Sequence, residues 1–433
     1  VHYGNYDPFY QYTIQLKDSI PAMGYKTYFV SSGEPGMLSN SYAETEKIET
    51  DYYTISVNPN GTLNIIDKRL NKEFNDVLLL ENGGDDGDEY DFSPLQNETL
   101  IYSDNVKADV KMLQNDYEGQ IKIQLTLDVP GSLEKRKENK RDSFVSVAWR
   151  ITVPNHQPMI KVEAEIENQA NDHRLRALIP TEIASSFSIS DNQFGFIKRD
   201  VYDSAMDVWE SECWDERPDS IYPMLSFVGL SNKEYGLSIM TNSTREYEII
   251  GDNYNTIAIT LFRGVGVLGK AELLRRPGRP SGIKLPTPDS QMIGKLKLRF
   301  AITTHTGSTA EANVSRMAKE FTTPLQTYNK IPHNAMKLNP EKIETPLNFS
   351  LLKEENSNTV LSVLKKSEKE DSLVLRFFNP TETEATASFI IKNTFEQAQE
   401  ANLSEKALSP IQVNNNQFNV AVKQNQVKTV LLQ

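Results

Sequence analysis

A mainly β chain is the fold class this sequence predicts: a large antiparallel β-sandwich, smaller β-sandwich structure beside it, and few helices. Three observations carry that expectation. Ile121, Ile123, Leu125, Leu127 and Val129 alternate with polar residues up to Pro130; Val145, Val147, Trp149, Ile151 and Val153 do so up to Pro154; Ile160, Val162, Ala164 and Ile166 follow. Successive side chains of a strand point to opposite faces of its sheet, so a period of two marks a strand with one buried face. Next, Asn60-Gly61 sits between YTISVN and TLNIID. That pair signals a hairpin, because both central residues of the favoured tight turn need positive φ. Finally, no helix-length pattern separates the strands, which argues for a sandwich rather than alternating α/β.

One helix stands out. Ser308-Thr309-Ala310-Glu311 reads as a capping box, and Ala310, Val314, Met317, Ala318 and Phe321 then recur at helical spacing until Thr322-Thr323-Pro324 stops them. The following stretch to Pro346 is rich in Pro, Asn and Lys and reads as a linker. LVLRFF, ATASFII, FNVAVK and VKTVLL then return to strand patterning. The expected division is 1–42, the tail of an incomplete small β domain; 43–325, the large sandwich; 326–344, a linker; and 345–433, a small C-terminal sandwich. Residues 1–42 hold two candidate strands, YTIQL and YKTYFV, too few for a core.

Composition narrows the function classes. With 46 basic against 59 acidic residues the net charge is −13. Phosphate backbones and anionic membranes are bound through Lys and Arg, so neither nucleic acid nor membrane is the expected partner. No run approaches the roughly 20 apolar residues of a bilayer span. The lone Cys213 fits a reducing compartment.

Local chemistry is sparse. None of the five histidines, His2, His156, His173, His305 and His333, lies four residues from another or precedes an acidic residue by two, so no zinc motif is visible. Gly264 to Gly269 satisfies G-x-G-x-x-G without the acidic partner of a dinucleotide site, and is read as a loop with glycines for turn geometry. The richest polar stretch is Asn82 to Pro94, with Asp85, Asp86, Asp88, Glu89 and Asp91 around Tyr90. It fails the EF-hand pattern. Carboxylates beside an aromatic ring suit a sugar, but the chemistry of the stretch by itself favours a solvated acidic loop.

Several stretches together resemble one family. ISVNPNGTLNIIDK, GDDGDEYDFSP, ENQANDHRLRALIPT, ERPDSIYPMLSFVGL, TLFRGVGVLG, RRPGRPSG and TPDSQMIGKL are similar, in order, to the C-terminal half of glycoside hydrolase family 38, nearest to bacterial α-mannosidases of the mannosylglycerate hydrolase type. The likeness covers about 45–310 well and 345–433 mainly through LRFFNPTET.

The resemblance implies a galactose-mutarotase-like supersandwich and a retaining, zinc-dependent exo-α-mannosidase as parent, acting through two carboxylates. Zinc, nucleophile and acid/base belong to an N-terminal barrel that begins with His-x-Asp, a motif lacking here. This chain is therefore expected to hold no catalytic residue, no metal and no cofactor, and to be inactive alone. Its expected partners are that barrel and a mannose-containing carbohydrate; self-association into a homo-oligomer stays open. The bacterial likeness and lone cysteine imply a cytoplasmic location. Tyr90 matches a tyrosine that contacts substrate, and Arg199, in FGFIKRD, a basic residue reaching the same pocket. Asp86 and Asp88 join them by proximity. Asp172, His173, Arg174 and Arg176 are expected to form an ion-pair network at a domain junction, with Arg263, Arg275, Arg276 and Asp289 as further interface candidates. Two other readings compete: a stand-alone carbohydrate-binding sandwich, and a lyase or mutarotase-like enzyme that needs a convergent His and carboxylate.

Overall fold

The computed structural model describes residues 14–30, 41–328, 345–355, 358–392 and 395–433. Its largest sheet has ten antiparallel strands. From edge to edge they are Gly195–Asp200, Phe187–Asn192, Phe227–Ser231, Tyr235–Thr241, Gly294–Thr306, Ile160–Asn168, Ser143–Pro154, Glu118–Val129, Asp109–Gln114 and Ala43–Glu44. The three alternating runs are neighbours in it: Ile123 lies opposite Trp149, and Trp149 opposite Ala164. Trp149 is fully buried and meets Phe300 edge-on at 6.1 Å.

A six-stranded sheet faces it, in the order Ile221–Pro223, Glu246–Ile250, Thr256–Gly264, His173–Pro180, Leu79–Gly84 and Ile101–Tyr102. Leu175, Ala177 and Ile179 enter the same core as the large sheet. A four-stranded sheet, Ile48–Glu49, Tyr53–Val57, Leu63–Asp67 and Lys72–Val77, adds Ile55, Leu63, Ile65 and Phe74. The expected large sandwich is thus present, with its core between these antiparallel sheets.

The Asn60-Gly61 hairpin forms by a different turn. Gly61 N–H donates to Asn58 O at 2.9 Å and Asn58 N–H to Thr62 O at 2.8 Å, so the loop is longer than two residues. Gly61 alone is left-handed, at φ +85°; Pro59 precedes the pair and favours a type I turn closed by a left-handed glycine. A Cβ on Gly61 would stand 2.8 Å from Ile123 Cγ2. Gly61→Val is therefore expected to lose more than about 1 kcal/mol in urea unfolding, from backbone strain plus the clash.

The helix also differs at its start. Ser308 and Glu311 make the reciprocal bonds of a capping box, yet they close a turn, and the α-helix is Val314–Thr322. Its Val314, Ala318 and Phe321 pack on Ile189, Phe227, Met240 and Ala301 of the large sheet. No helix among the described residues is long and apolar enough to cross a membrane.

The small sandwich pairs a five-stranded sheet holding Val360–Lys366, Leu373–Phe378 and Val427–Leu432 with a four-stranded sheet holding Ala385–Ile391 and Gln417–Val422. Phe377, Phe389 and Phe418 fill its core. Within 1–42, YTIQL falls partly outside the described residues, and Ile14 to Leu16 are not strand. From YKTYFV only Tyr25 and Lys26 are strand, in Gly24–Lys26, which pairs with Asn348–Ser350. The strand thus pairs with a distant part of the chain, while Asp18 bonds Lys26 and Tyr28 nearby in sequence. Most of the proposed linker lies outside the described residues.

Candidate functional site

The acidic loop after Leu79–Gly84 is a folded structure, and its carboxylates build it. Asp85 is buried; Oδ1 accepts from Gly87 N at 3.0 Å and Ser93 N at 3.3 Å, and Oδ2 from Arg263 Nε at 2.7 Å. Burial pushes its carboxyl up against the pull of Arg263. Asp88 is fully buried. Its Oδ1 accepts from Tyr90 N at 3.0 Å and Asp91 N at 2.9 Å, its Oδ2 from Lys270 N at 3.0 Å and Arg276 Nη2 at 2.7 Å. Asp86 pairs with the Lys270 ammonium. Asp88 therefore holds the loop from inside with both oxygens engaged, and the turn it organises carries Tyr90 outward, 55% exposed.

The opposing wall comes from residues 264–294, far along the chain. Glu89 N–H donates to Val267 O at 3.2 Å, and Ser290 Oγ to Glu89. Gly264, Gly266 and Gly269 lie in this wall, but none has positive φ. They are there for close approach: a Cβ on Gly266 would stand 2.7 Å from Gln291 Nε2, and one on Gly269 2.7 Å from Gly282 O. A Cβ on Gly282 would in turn meet the Tyr90 ring at 2.8 Å. Leu274, Ile283, Leu285, Met292 and Ile293 on this wall are all exposed, Ile283 at 76%.

Behind the loop, NQANDHRLR ties the sheets together. His173 is buried; its Nδ1 meets Asn82 Nδ2 at 2.6 Å and its Nε2 meets Asn168 Oδ1 at 2.9 Å. An amide N–H must donate to Nδ1, so the proton sits on Nε2. Burial, and then nearby Arg136, push this imidazole down to about 3. Asp172 bonds Gln291 rather than an arginine. Arg174 and Arg176 do form ion pairs, with Arg176 between Glu81 and Glu248. The expected network thus splits: Asp172 and His173 bond amide side chains, and the two arginines carry the ion pairs. Around Phe92 stand Arg174 at 3.6 Å, Arg275 at 5.3 Å and Arg263 at 5.9 Å from the ring centroid. Burial pulls Arg174 down to about 10, with Arg176 adding repulsion; burial then Arg217 and Arg174 do the same to Arg275.

The structure thus brings Asp86, Asp88 and Tyr90 together on one loop. Arg199, on strand Gly195–Asp200, stacks 5.0 Å from the Tyr222 ring and makes no hydrogen bond or ion pair to that loop among the described residues. Asp289 sits in the short 3-10 turn Pro288–Gln291 of the opposing wall. Sequence reasoning did not assign Arg276 and Lys270 to the Tyr90 loop, because a partner 188 residues away leaves no local pattern. No group of three or more His, Cys, Asp or Glu among the described residues could hold a metal ion. The one histidine–carboxylate ion pair among them, His156 with Asp51, is exposed on the surface.

Comparison with known proteins places this architecture. The glycosyl hydrolases family 38 C-terminal domain matches residues 48–267, and the family's C-terminal beta sandwich domain matches residues 358–430. A protein of Halalkalibacterium halodurans, provisionally named a mannosylglycerate hydrolase, is 25% identical over 390 residues, 86% of this chain and 40% of that protein. An alpha-mannosidase from Enterococcus faecalis superposes with TM-score 0.75 at 22% identity, over 90% of this chain and 42% of its own. A protein in glycosyl hydrolase family 38 from Enterococcus faecalis does so with TM-score 0.75 at 20% identity, over 93% and 46%. The chain spans less than half the length of these relatives. The first family match alone covers half of the residues and includes both the Tyr90 loop and the His173 strand, so this chain belongs to glycosyl hydrolase family 38, as its C-terminal β-sandwich region.

Proposed function

We propose that this chain is the sandwich part of a retaining, zinc-dependent exo-α-mannosidase acting on mannose-containing carbohydrates. In this reading zinc, nucleophile and acid/base reside on an N-terminal catalytic barrel, and the chain alone does not hydrolyse glycosides. The observation that carries the reading is the Tyr90 face. A tyrosine is held out by a buried Asp88–Arg276 pair, and exposed Leu274, Ile283, Leu285, Met292 and Ile293 lie on the wall beside it. Clustered exposed apolar side chains mark contact surfaces. The barrel docks there, and Tyr90 meets the sugar at the junction. Asp86, next to it, and Arg199 are the further sugar contacts of the proposal, with Asp88 as the residue that positions Tyr90.

Hydrolysis of an aryl α-mannoside tests this, with the 433-residue chain beside the longer protein that includes the barrel. The chain alone is expected to be inactive and the longer protein active. Tyr90→Ala in the longer protein should lower kcat/KM by about tenfold or more, the worth of one lost sugar contact near 1.4 kcal/mol. Turnover by the chain alone would overturn the assignment of the chemistry to the barrel.

A further inference from the structure

A cavity of about 190 Å³ lies under Phe92, between the outer face of the six-stranded sheet and the Tyr90 loop. Arg174, Arg176, Arg275, Glu98 and Glu248 line it, with Phe92 and Leu100 as apolar wall. Most of its charges are already paired: Arg176 with Glu81 and Glu248, Arg275 with Asp219, Glu98 with Arg136.

Three lining groups keep free hydrogen-bonding capacity among the described residues. The Arg174 side chain makes no hydrogen bond among the described residues; Glu246 and Glu248 each stand 3.8 Å from it as ion-pair partners, and its buried Nη1 lacks a hydrogen-bond partner. Glu98 uses only Oε1, toward Gly84 N at 2.7 Å and Arg136 Nη1 at 2.8 Å. Glu248 uses only Oε2, toward Arg176 and, at long range, Arg174. The buried Arg174 Nη1 is costly without a hydrogen-bond partner, and free carboxylate oxygens stand beside it as acceptors, so the cavity favours an occupant that both accepts and donates.

Charge then selects the class of occupant. An anion would face the open oxygens of Glu98 and Glu248, and a cation would face Arg174 and Arg275. A hydroxyl both donates and accepts. The volume is several times the ~30 Å³ share of one water. We propose that this cavity binds a neutral polyol the size of one sugar ring or smaller. Its hydroxyls accept from Arg174 and donate to Glu98 and Glu248, and its C–H face rests on Phe92 and Leu100. This goes beyond the mannosidase reading, because it is a property of the sandwich and needs no barrel.

Saturation-transfer NMR on the chain itself tests it, with methyl α-D-mannopyranoside and glycerol as probes and sodium phosphate as competitor. Transfer to at least one polyol is expected, with a millimolar Kd and no displacement by phosphate at equal concentration. Leu100→Trp should fill the cavity and weaken binding at least about tenfold. No transfer to either polyol, displacement by phosphate, or undiminished binding by folded Leu100→Trp would overturn the proposal. If that variant does not fold, crystals of the unaltered chain soaked in each polyol decide. Polyol density between Phe92 and Glu248 supports the site, and water alone there overturns it. Inactivity of the chain toward aryl mannosides bears on neither outcome.

Discussion

Arg276→Met is expected to destabilise the large sandwich by about 3–5 kcal/mol, because it strands the fully buried Asp88 carboxylate. Arg276 is itself buried, and it also donates through Nε to Arg279 O at 2.9 Å and pairs with Asp91. Its loss therefore releases both walls of the Tyr90 face. Urea unfolding followed by tryptophan fluorescence reads this directly, since Trp149, Trp209 and Trp214 all lie in the large unit. Adding Asp88→Asn should restore part of the loss, because the pair is then removed without leaving a buried charge. A cost below about 1 kcal/mol for Arg276→Met would show that water reaches and solvates Asp88.

The chain is also expected to lose on the order of 5 kcal/mol of stability between pH 6.5 and 4.5 through two histidines. Burial holds His173 near 3 and His305 near 4, against 6.5 for a free imidazole. Both folded values are depressed, so the unfolded chain takes up protons that the folded one refuses. Their contribution is fully present above pH 6.5 and falls as pH drops toward 4, by about 1.4 kcal/mol per pH unit for each ring. Replacing His305, whose Nε2 meets Ser238 Oγ at 3.0 Å, isolates its share. In His305→Gln the histidine part of the slope should halve. An unchanged slope would mean that carboxylates alone govern the acid limb.

Both predictions rest on residues whose roles were only partly legible. The strands through Ile121, Val147 and Ile160 were readable because each buries one face against the core and leaves the other in water. That asymmetry writes a period of two into the sequence. His173–Pro180 and Tyr235–Thr241 carry no such signature. They are buried almost throughout, so their outward residues are not in water. In the first, Arg174 and Arg176 lie beneath the Tyr90 loop, paired to strands that are distant in sequence. Charge there marks a buried network, not a solvent face.

The same division holds at finer scale. Asn60-Gly61 announced a hairpin, but Pro59 and the packing of Gly61 on Ile123 selected the turn. Ser308 and Glu311 announced a cap, yet the helix begins where Val314 first meets the large sheet. The acidic run around Tyr90 was visible as composition. That Asp85 and Asp88 are buried scaffolding, and that Tyr90 is the residue left outside, depended on Arg263, Lys270 and Arg276 arriving from the other end of the sandwich. Sequence alone determined the strands that bury one face, because local periodicity records that face. Only the tertiary structure decided which charges are buried and which ring is presented, because ion pairing acts through space and leaves no spacing rule along the chain.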